Sequence, residues 1–358
     1  SRIEFGKRIA KLVGQDRDEI PGHFAANTLD DWLAANPART PGSEIGVVTI
    51  AGTIVDGDAG PGTAGGDRIA KLLEDGLSRN FKALVVRVDS PGGSVFASEA
   101  IRRGIQAYRD RKIPVVVSMS NVAASGGYWV STASDAIFAE PSTITGSIGV
   151  FAVLPSFERV LAEYGINSDG IATTPLSGQP DILGGFNDSF DTMVQTGVEN
   201  NYDQFLTLVA DSRGKTKDQI DAIAQGRVWD GGTARQLGLV DRFGSFDDAL
   251  ADAAKRAKLA DGDYHPVFMA TAVSGWEMFF VNMFTPEPDD SSSDSAHGMI
   301  AHMTRERSAA IGQLLADIGM MDSGSVQAMC LECRADLPTR RPAASLSLLQ
   351  RLFGQTAP

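Results

Sequence analysis

The chain has 358 residues, enough for one large or two modest domains with a well-buried core. Its 32 Lys and Arg residues and 45 Asp and Glu residues give a net charge of −13, which argues against a surface that binds nucleic-acid phosphates. Hydrophobic residues make up 43% of the chain and 38 residues are glycine, as in a globular protein with many tight turns. No apolar stretch reaches the roughly 18 uninterrupted residues of a membrane-spanning helix.

The first 44 residues are predicted to form an arm or linker, because short helical pieces alternate there with Pro21, Pro37 and Pro41. A compact domain is predicted over residues 45–260. It begins with a nearly continuous apolar run from Ile45 to Val55, typical of a strand covered on both faces. A glycine-rich turn follows at residues 57–66.

Strands and helices are then predicted to alternate along the chain. Helix periodicity covers residues 68–77 and 96–111, and β-branched runs cover 83–88 and 114–119. Shorter strands are expected at 136–139 and 148–153. This βα alternation favours an α/β fold with mainly parallel strands. The helical segments expected at 186–211, 218–224, 233–237 and 246–259 would form its cover.

Residues 261–358 are predicted to be a C-terminal extension. It contains an acidic, serine-rich loop at 286–298 that is expected to be disordered, and a helix near 299–318. Cys330 and Cys333, the chain's cysteines, form a C-x-x-C pair near the end. One such pair cannot fill a four-ligand zinc site, so a local disulfide, a redox-sensitive tail or no chemical role remain open, and no metal is predicted.

Two glycine-containing turns are predicted at the carboxyl ends of strands, where α/β proteins usually place their sites. They are DSPGGS at 89–94 and AASGGYW at 123–129. Ser125 in the second turn would lie near a helix N-terminus, which favours developing negative charge. The N–H groups of Gly93 and Gly126 could then converge as a two-donor oxyanion hole. Ser125 would also suit a helix N-cap, and the glycines would suit plain turns.

A base that would activate this serine is missing from the predicted core. The four histidines, His23, His265, His297 and His302, lie outside the segment from the first core strand to the last alanine-rich helix. A Ser–Lys dyad would need a desolvated lysine, but no lysine occurs between Lys112 and Lys215.

Three motifs together resemble the signal peptide peptidase A, or protease IV, family: VDSPGG at 88–93, AASGGY at 123–128 and TITGSIGV at 143–150. The resemblance extends over residues 45–259 and continues into the C-x-x-C tail. It implies the fold shared with Clp protease and crotonases, with Ser125 as nucleophile and Gly93 and Gly126 as oxyanion donors. It also implies that Ser147 hydrogen-bonds a lysine base.

The chain departs from the family at the lysine itself. Short forms carry that lysine roughly fifty residues after the serine, where this sequence has TPLSG at 174–178. Long forms are tandem duplications whose first half supplies the lysine and whose second half supplies the serine. This sequence resembles the second half, and its start without Met suggests a processed or truncated product with a targeting segment upstream.

The resemblance therefore implies a serine endopeptidase of the Ser/Lys type that degrades remnant signal peptides and needs no cofactor. The expected location is the periplasmic face of a bacterial inner membrane. The expected partners are peptide substrates, a lysine-bearing N-terminal half and further copies of the chain, with no nucleic acid. Two alternatives remain: an acyl-CoA enzyme of the crotonase type, and a catalytically incomplete scaffold.

Overall fold

The computed structural model describes residues 2–14, 22–27, 29–36, 42–60, 62–270 and 327–329. The chain divides into two compact units, Ser1–Gly42 and Ser43–Pro358. The predictions for the acidic loop at 286–298, the helix at 299–318 and the cysteine pair lie outside the described residues.

The described residues contain ten helices: α1 (Arg2–Val13), α2 (Leu29–Ala35), α3 (Gly66–Gly76), α4 (Val95–Asp110), α5 (Gly126–Ser131), α6 (Glu158–Glu163), α7 (Asp188–Arg213), α8 (Lys217–Asp221), α9 (Gly231–Gln236) and α10 (Phe246–Arg256). They also contain twelve strands: β1 (Ser43–Ala51), β2 (Ile54–Val55), β3 (Ala64–Gly65), β4 (Ala83–Ser90), β5 (Gly92–Ser94), β6 (Val115–Ala124), β7 (Ala136–Ala139), β8 (Ile144–Gly146), β9 (Val228–Asp230), β10 (Arg242–Phe243), β11 (Tyr264–Phe268) and β12 (Gln327–Met329).

The first unit contributes α1 and α2. The second unit is built on a sheet in the order β10-β7-β6-β4-β1-β11, in which all neighbouring strands are parallel. At one end of β6, the short strand β8 pairs parallel with β6 and antiparallel with β9. The predicted α/β fold with mainly parallel strands is confirmed.

The β-branched residues of the central strands alternate between two buried faces of this sheet. Val48 and Val86 point into a large cluster that also contains Ile101 of α4 and Phe205 of α7. Their neighbours along the strands face a second cluster that contains Ala253 of α10. Because successive residues of a strand face opposite sides, burial on both sides requires the continuous apolar runs seen in the sequence.

A second, smaller sheet lies at the glycine-rich turns and has the order β12-β5-β2-β3. Strand β5 pairs parallel with β2, where Gly93 is opposite Ile54. On its other side, β5 pairs antiparallel with β12. The sequence patterns predicted one strand over residues 45–55 where the structure has both β1 and β2, and they did not predict this separate sheet.

The strand predicted at 148–153 is wrong. The structure instead places β8 at Ile144–Gly146, and residues 147–150 form no strand. Gly146 and Ser147 both have positive φ angles, 78° and 46°, which turn the chain away from the extended conformation. The other strands and helices expected in the described core are present, with ends displaced by a few residues. No helix among the described residues has both the length and the apolar character needed to cross a membrane.

Candidate active site

Ser125 occupies the sharp turn between β6 and α5. Its backbone angles are φ 53° and ψ −113°, a conformation that non-glycine residues rarely adopt. Its N–H donates to Gly146 O at 2.9 Å, and its carbonyl accepts from Trp129 N at 2.8 Å. A serine on a strained turn from strand to helix is the arrangement by which α/β-hydrolases present a nucleophile. Ser125 lies where the sequence predicted it, and its helix-capping role is absent because its side chain makes no capping hydrogen bond.

Small residues after Ser125 let this turn fit into the core. A Cβ added at Gly126 would lie 2.6 Å from Ser98 Oγ, and one added at Gly127 would lie 2.7 Å from Ser90 O. All six residues of α5 are buried, so the helix that follows the serine is fixed on every side. Packing therefore fixes the position of the serine backbone.

The other predicted glycine turn lies directly beside Gly126. Gly92 and Gly93 have φ angles of 96° and 154°, in the region that favours glycine. A Cβ added at Gly92 would lie 2.5 Å from Gly126 N. The turn is stabilised by the Ser90 hydroxyl, which donates to Gly52 O at 2.7 Å and accepts from Gly92 N at 3.1 Å. The structure thus places Gly92, the residue before the predicted oxyanion donor Gly93, beside the backbone of the other predicted donor, Gly126.

Ser147 lies on the neighbouring strand end. It directly follows β8, whose Gly146 is opposite Ala124 of β6, so Ser125 and Ser147 follow a pair of aligned residues. Ser147 has φ 46°, is 4% exposed, and its N–H donates to Arg227 O at 2.7 Å. Trp229 of β9 packs against Gly146 and donates its indole N–H to Ile223 O at 3.0 Å. Trp229 therefore has a packing role beside Gly146.

The Ser125 hydroxyl has one hydrogen-bond partner among the described residues, Gly149 O at 3.4 Å. This distance is long for an O–H···O bond, so the hydroxyl is only weakly held. The nearest lysines in sequence after it are engaged elsewhere: Lys217 pairs with Asp203, and Lys215 lies against Gly238. None of the lysines described in the second unit hydrogen-bonds to Ser125.

Comparisons with known proteins show the family of this chain. Residues 107–260 match the model of peptidase family S49. The chain is 45% identical over 260 residues to Protease 4 of Salmonella typhi, covering 72% of this chain and 41% of that protein. Against Protease 4 of Haemophilus influenzae it is 40% identical over 258 residues, with 71% and 41% covered. A putative protease of Synechocystis is 36% identical over 199 residues, 53% of this chain and 69% of that protein. The chain belongs to peptidase family S49.

Membership of family S49 confirms the resemblance drawn from the three motifs, and with it the fold of the Clp protease and crotonase type. The chain spans about two fifths of the length of the two Protease 4 relatives. The match also favours peptide hydrolysis over the acyl-CoA alternative.

One partly buried carboxylate of this S49 chain was not predicted as part of the site. Glu99 of α4 accepts hydrogen bonds from Trp129 Nε1 (2.9 Å), Arg102 Nε (2.7 Å) and Arg103 Nε (2.8 Å). Burial by itself raises the pKa of Glu99, but these donors outweigh it and lower the pKa to about 2. Glu99 therefore links α4 to the helix that follows Ser125. The spacing of Glu99, Arg102 and Arg103, at i, i+3 and i+4, was the signal in the sequence.

Strand β12 is the second feature that the sequence did not predict. Its Ala328 is opposite Gly93 of β5 and is fully buried. A Cβ added at Gly126 would lie 3.0 Å from Ala328 O, and one added at Gly92 would overlap the same oxygen. A carbonyl group from the chain's own C-terminal region therefore lies beside the two glycine turns.

Proposed function

We propose that this chain is the nucleophile-bearing part of a serine endopeptidase, with Ser125 as the attacking residue. The observation that carries the proposal is the strained conformation of Ser125 at a strand-to-helix turn, next to the backbones of Gly92 and Gly126. The match to family S49 supports the same activity.

The reaction would begin when Ser125 Oγ attacks the carbonyl carbon of a peptide bond. The carbonyl oxygen then becomes negatively charged and accepts hydrogen bonds from the N–H groups of Gly93 and Gly126, each worth on the order of 3 kcal/mol in the transition state. The C–N bond breaks, the amine leaves with a proton, and an ester joins the remaining peptide to Ser125. Water hydrolyses this ester and regenerates the serine.

The proton of Ser125 would pass to a lysine that lies outside the site described here, on a lysine-bearing N-terminal half or on another subunit. Burial lowers the pKa of a lysine and makes it a usable base near neutral pH. Ser147 is the residue that would hold this lysine. It lies on the strand end next to Ser125, and its hydroxyl makes no hydrogen bond within the described residues.

Remnant signal peptides are the proposed substrates, cleaved at the periplasmic face of a bacterial inner membrane. A relative from Enterococcus faecium, 32% identical over 194 residues, bears the name putative signal peptide peptidase SppA; the match covers 54% of this chain and 56% of that protein. The apolar side chains of such peptides would bind in a groove along β5, beside the glycine turns at Gly92 and Gly126. Assembly into a homo-oligomer is proposed on the same family resemblance.

The test is covalent labelling with a serine-reactive acylating probe, read by intact mass. The chain is labelled alone and together with a lysine-bearing half, each time beside the variants Ser125→Ala and Ser131→Ala. Ser131 is a matched control because it is a buried serine of α5 whose hydroxyl donates to Gly127 O. We expect one adduct, formed only with the added half, lost in Ser125→Ala and kept in Ser131→Ala.

Three outcomes would contradict the proposal, one for the source of the base and two for the identity of the nucleophile. An adduct on the chain alone that disappears in Ser125→Ala would confirm the nucleophile and refute the need for a base from the N-terminal half. An adduct that persists in Ser125→Ala, or no adduct even with the added half, would refute Ser125 as nucleophile.

A further inference from the structure

One edge of β5 pairs with a strand from the C-terminal region of the same chain. Gln327, Ala328 and Met329 pair antiparallel with Ser94, Gly93 and Gly92 in register. The other edge of β5 already pairs with β2. Strand β12 therefore fills the one edge at which another extended peptide could hydrogen-bond to β5.

Ala328 fits this position as a peptide ligand would. Its carbonyl oxygen lies next to Gly92 and Gly126, so closely that a Cβ at Gly92 would overlap it. Its methyl group is fully buried and belongs to the large hydrophobic cluster of the second unit. The backbone thus lies along the sheet edge, with one carbonyl at the glycine turns and one small side chain enclosed. These are the features of peptide recognition by strand addition.

Small size is required at this position because the surroundings have no spare room. The Ala328 side chain has no exposed surface and packs inside the large hydrophobic cluster, and its carbonyl oxygen would lie only 3.0 Å from a Cβ added at Gly126. A large side chain at position 328 would have to displace packed backbone, which costs more than the strand pairing contributes.

We propose that residues 327–329 are a built-in ligand of the peptide-binding groove, which must leave before a substrate peptide can bind. The proposal rests on the proposed function only for the identity of the groove as the substrate site. A tethered segment competes at a high effective concentration, so it lowers the affinity for any peptide added from solution. The chain therefore regulates access to its own groove.

Binding is measured in full-length chains that carry Ser125→Ala, so that no turnover takes place. The probe is a fluorescent synthetic peptide with the sequence of residues 323–329, followed by fluorescence anisotropy. Ala328→Trp is the test variant and Ala251→Trp is the matched control, because Ala251 is an exposed alanine of α10. Hydrogen exchange of the 327–329 amides is recorded in the same samples.

We expect the 327–329 amides to be protected in the control and to exchange rapidly in Ala328→Trp. Peptide affinity should rise at least tenfold in Ala328→Trp and remain unchanged in Ala251→Trp. A chain that ends at Val326 provides a second variant, which should bind the peptide as tightly as Ala328→Trp does.

Three results would overturn the proposal. The first is equal peptide affinity in all variants, and the second is no peptide binding either by Ala328→Trp or by the chain that ends at Val326. The third is rapid exchange of the 327–329 amides in Ala251→Trp. None of these results depends on the reactivity of Ser125. The binding experiment therefore tests whether residues 327–329 act as a ligand, whereas the acylation experiment tests whether Ser125 is the nucleophile.

Discussion

Replacing Glu99 by glutamine should lower the free energy of unfolding by about 3 kcal/mol near neutral pH. The Glu99 carboxylate is 14% exposed and accepts four hydrogen bonds, two from Arg102 and one each from Arg103 and Trp129. Its pKa is 4.5 without these interactions and about 2 with them. At about 1.4 kcal/mol per pKa unit, this difference corresponds to about 3 kcal/mol of stability from the charged form.

The contribution of Glu99 also has a defined pH dependence. Because the pKa in the folded chain is below that in the unfolded chain, the stabilisation is complete above pH 4.5 and is lost as the pH falls towards about 2. Urea unfolding followed by tryptophan fluorescence would measure the difference between wild type and Glu99→Gln. This difference should be about 3 kcal/mol near pH 7 and should shrink steadily below pH 4.5.

Glu74→Gln is the matched control, because Glu74 is an exposed acid on α3. Its removal should change stability by less than about 0.5 kcal/mol. If Glu99→Gln were as stable as this control near neutral pH, or if its deficit stayed constant down to about pH 3, the assigned role of the carboxylate would be wrong.

Three further predictions concern the glycine turn, the neighbouring serine and the buried phenols. Gly93→Ala should lower stability by more than about 2 kcal/mol, because its Cβ would overlap Ile54 O and its φ of 154° suits glycine; an unchanged urea midpoint would contradict this. Ser147→Ala should slow acylation of the lysine-complemented protein about tenfold or more without changing peptide affinity, and equal acylation rates would exclude it from holding the base. Burial, first of all, raises the pKa of Tyr108 and Tyr202 to about 12. Unfolding free energy should therefore decline between about pH 10 and 12, less steeply in Tyr202→Phe, and a flat profile would refute the shift.

The main sheet was predictable because each of its central strands can be recognised from its own residues. Strands β1, β4 and β6 are buried on both faces, so each requires a run of apolar, often β-branched residues that is visible without any partner. The turn at Ser125 was predictable for a similar reason, since small residues between a strand pattern and a helix pattern leave few other arrangements.

Features set by backbone conformation were harder to predict. The motif from Ile144 to Val150 is apolar enough to suggest a strand at its second half, but the positive φ angles of Gly146 and Ser147 end the strand before it. Nothing in the side chains of that motif reveals which residue takes the left-handed conformation. The same limit applies to the φ of Ser125, which arises from packing around α5 rather than from the serine itself.

Long-range pairing was beyond the reach of sequence patterns. Strands β5 and β12 have three residues each and are separated by most of the chain, so neither has the length or alternation that marks a strand. Their pairing depends on the backbone conformation of the glycine turn at Gly92 and Gly93, which the sequence does not reveal. The lysine that completes the proposed reaction is likewise absent from the sequence between Lys112 and Lys215.

The buried helix α5 and the exposed segment 153–184 differ in how freely their sequences can change during evolution. All six residues of that helix lie in the core, so substitutions that enlarge a side chain there would displace the backbone at Ser125 and are subject to strong selection. The segment from 153 to 184 is exposed along most of its length, and Ile171 is 98% exposed. Side chains in this segment can be exchanged at little cost in stability. The sequence of this segment can therefore diverge while the packing around Ser125 is kept.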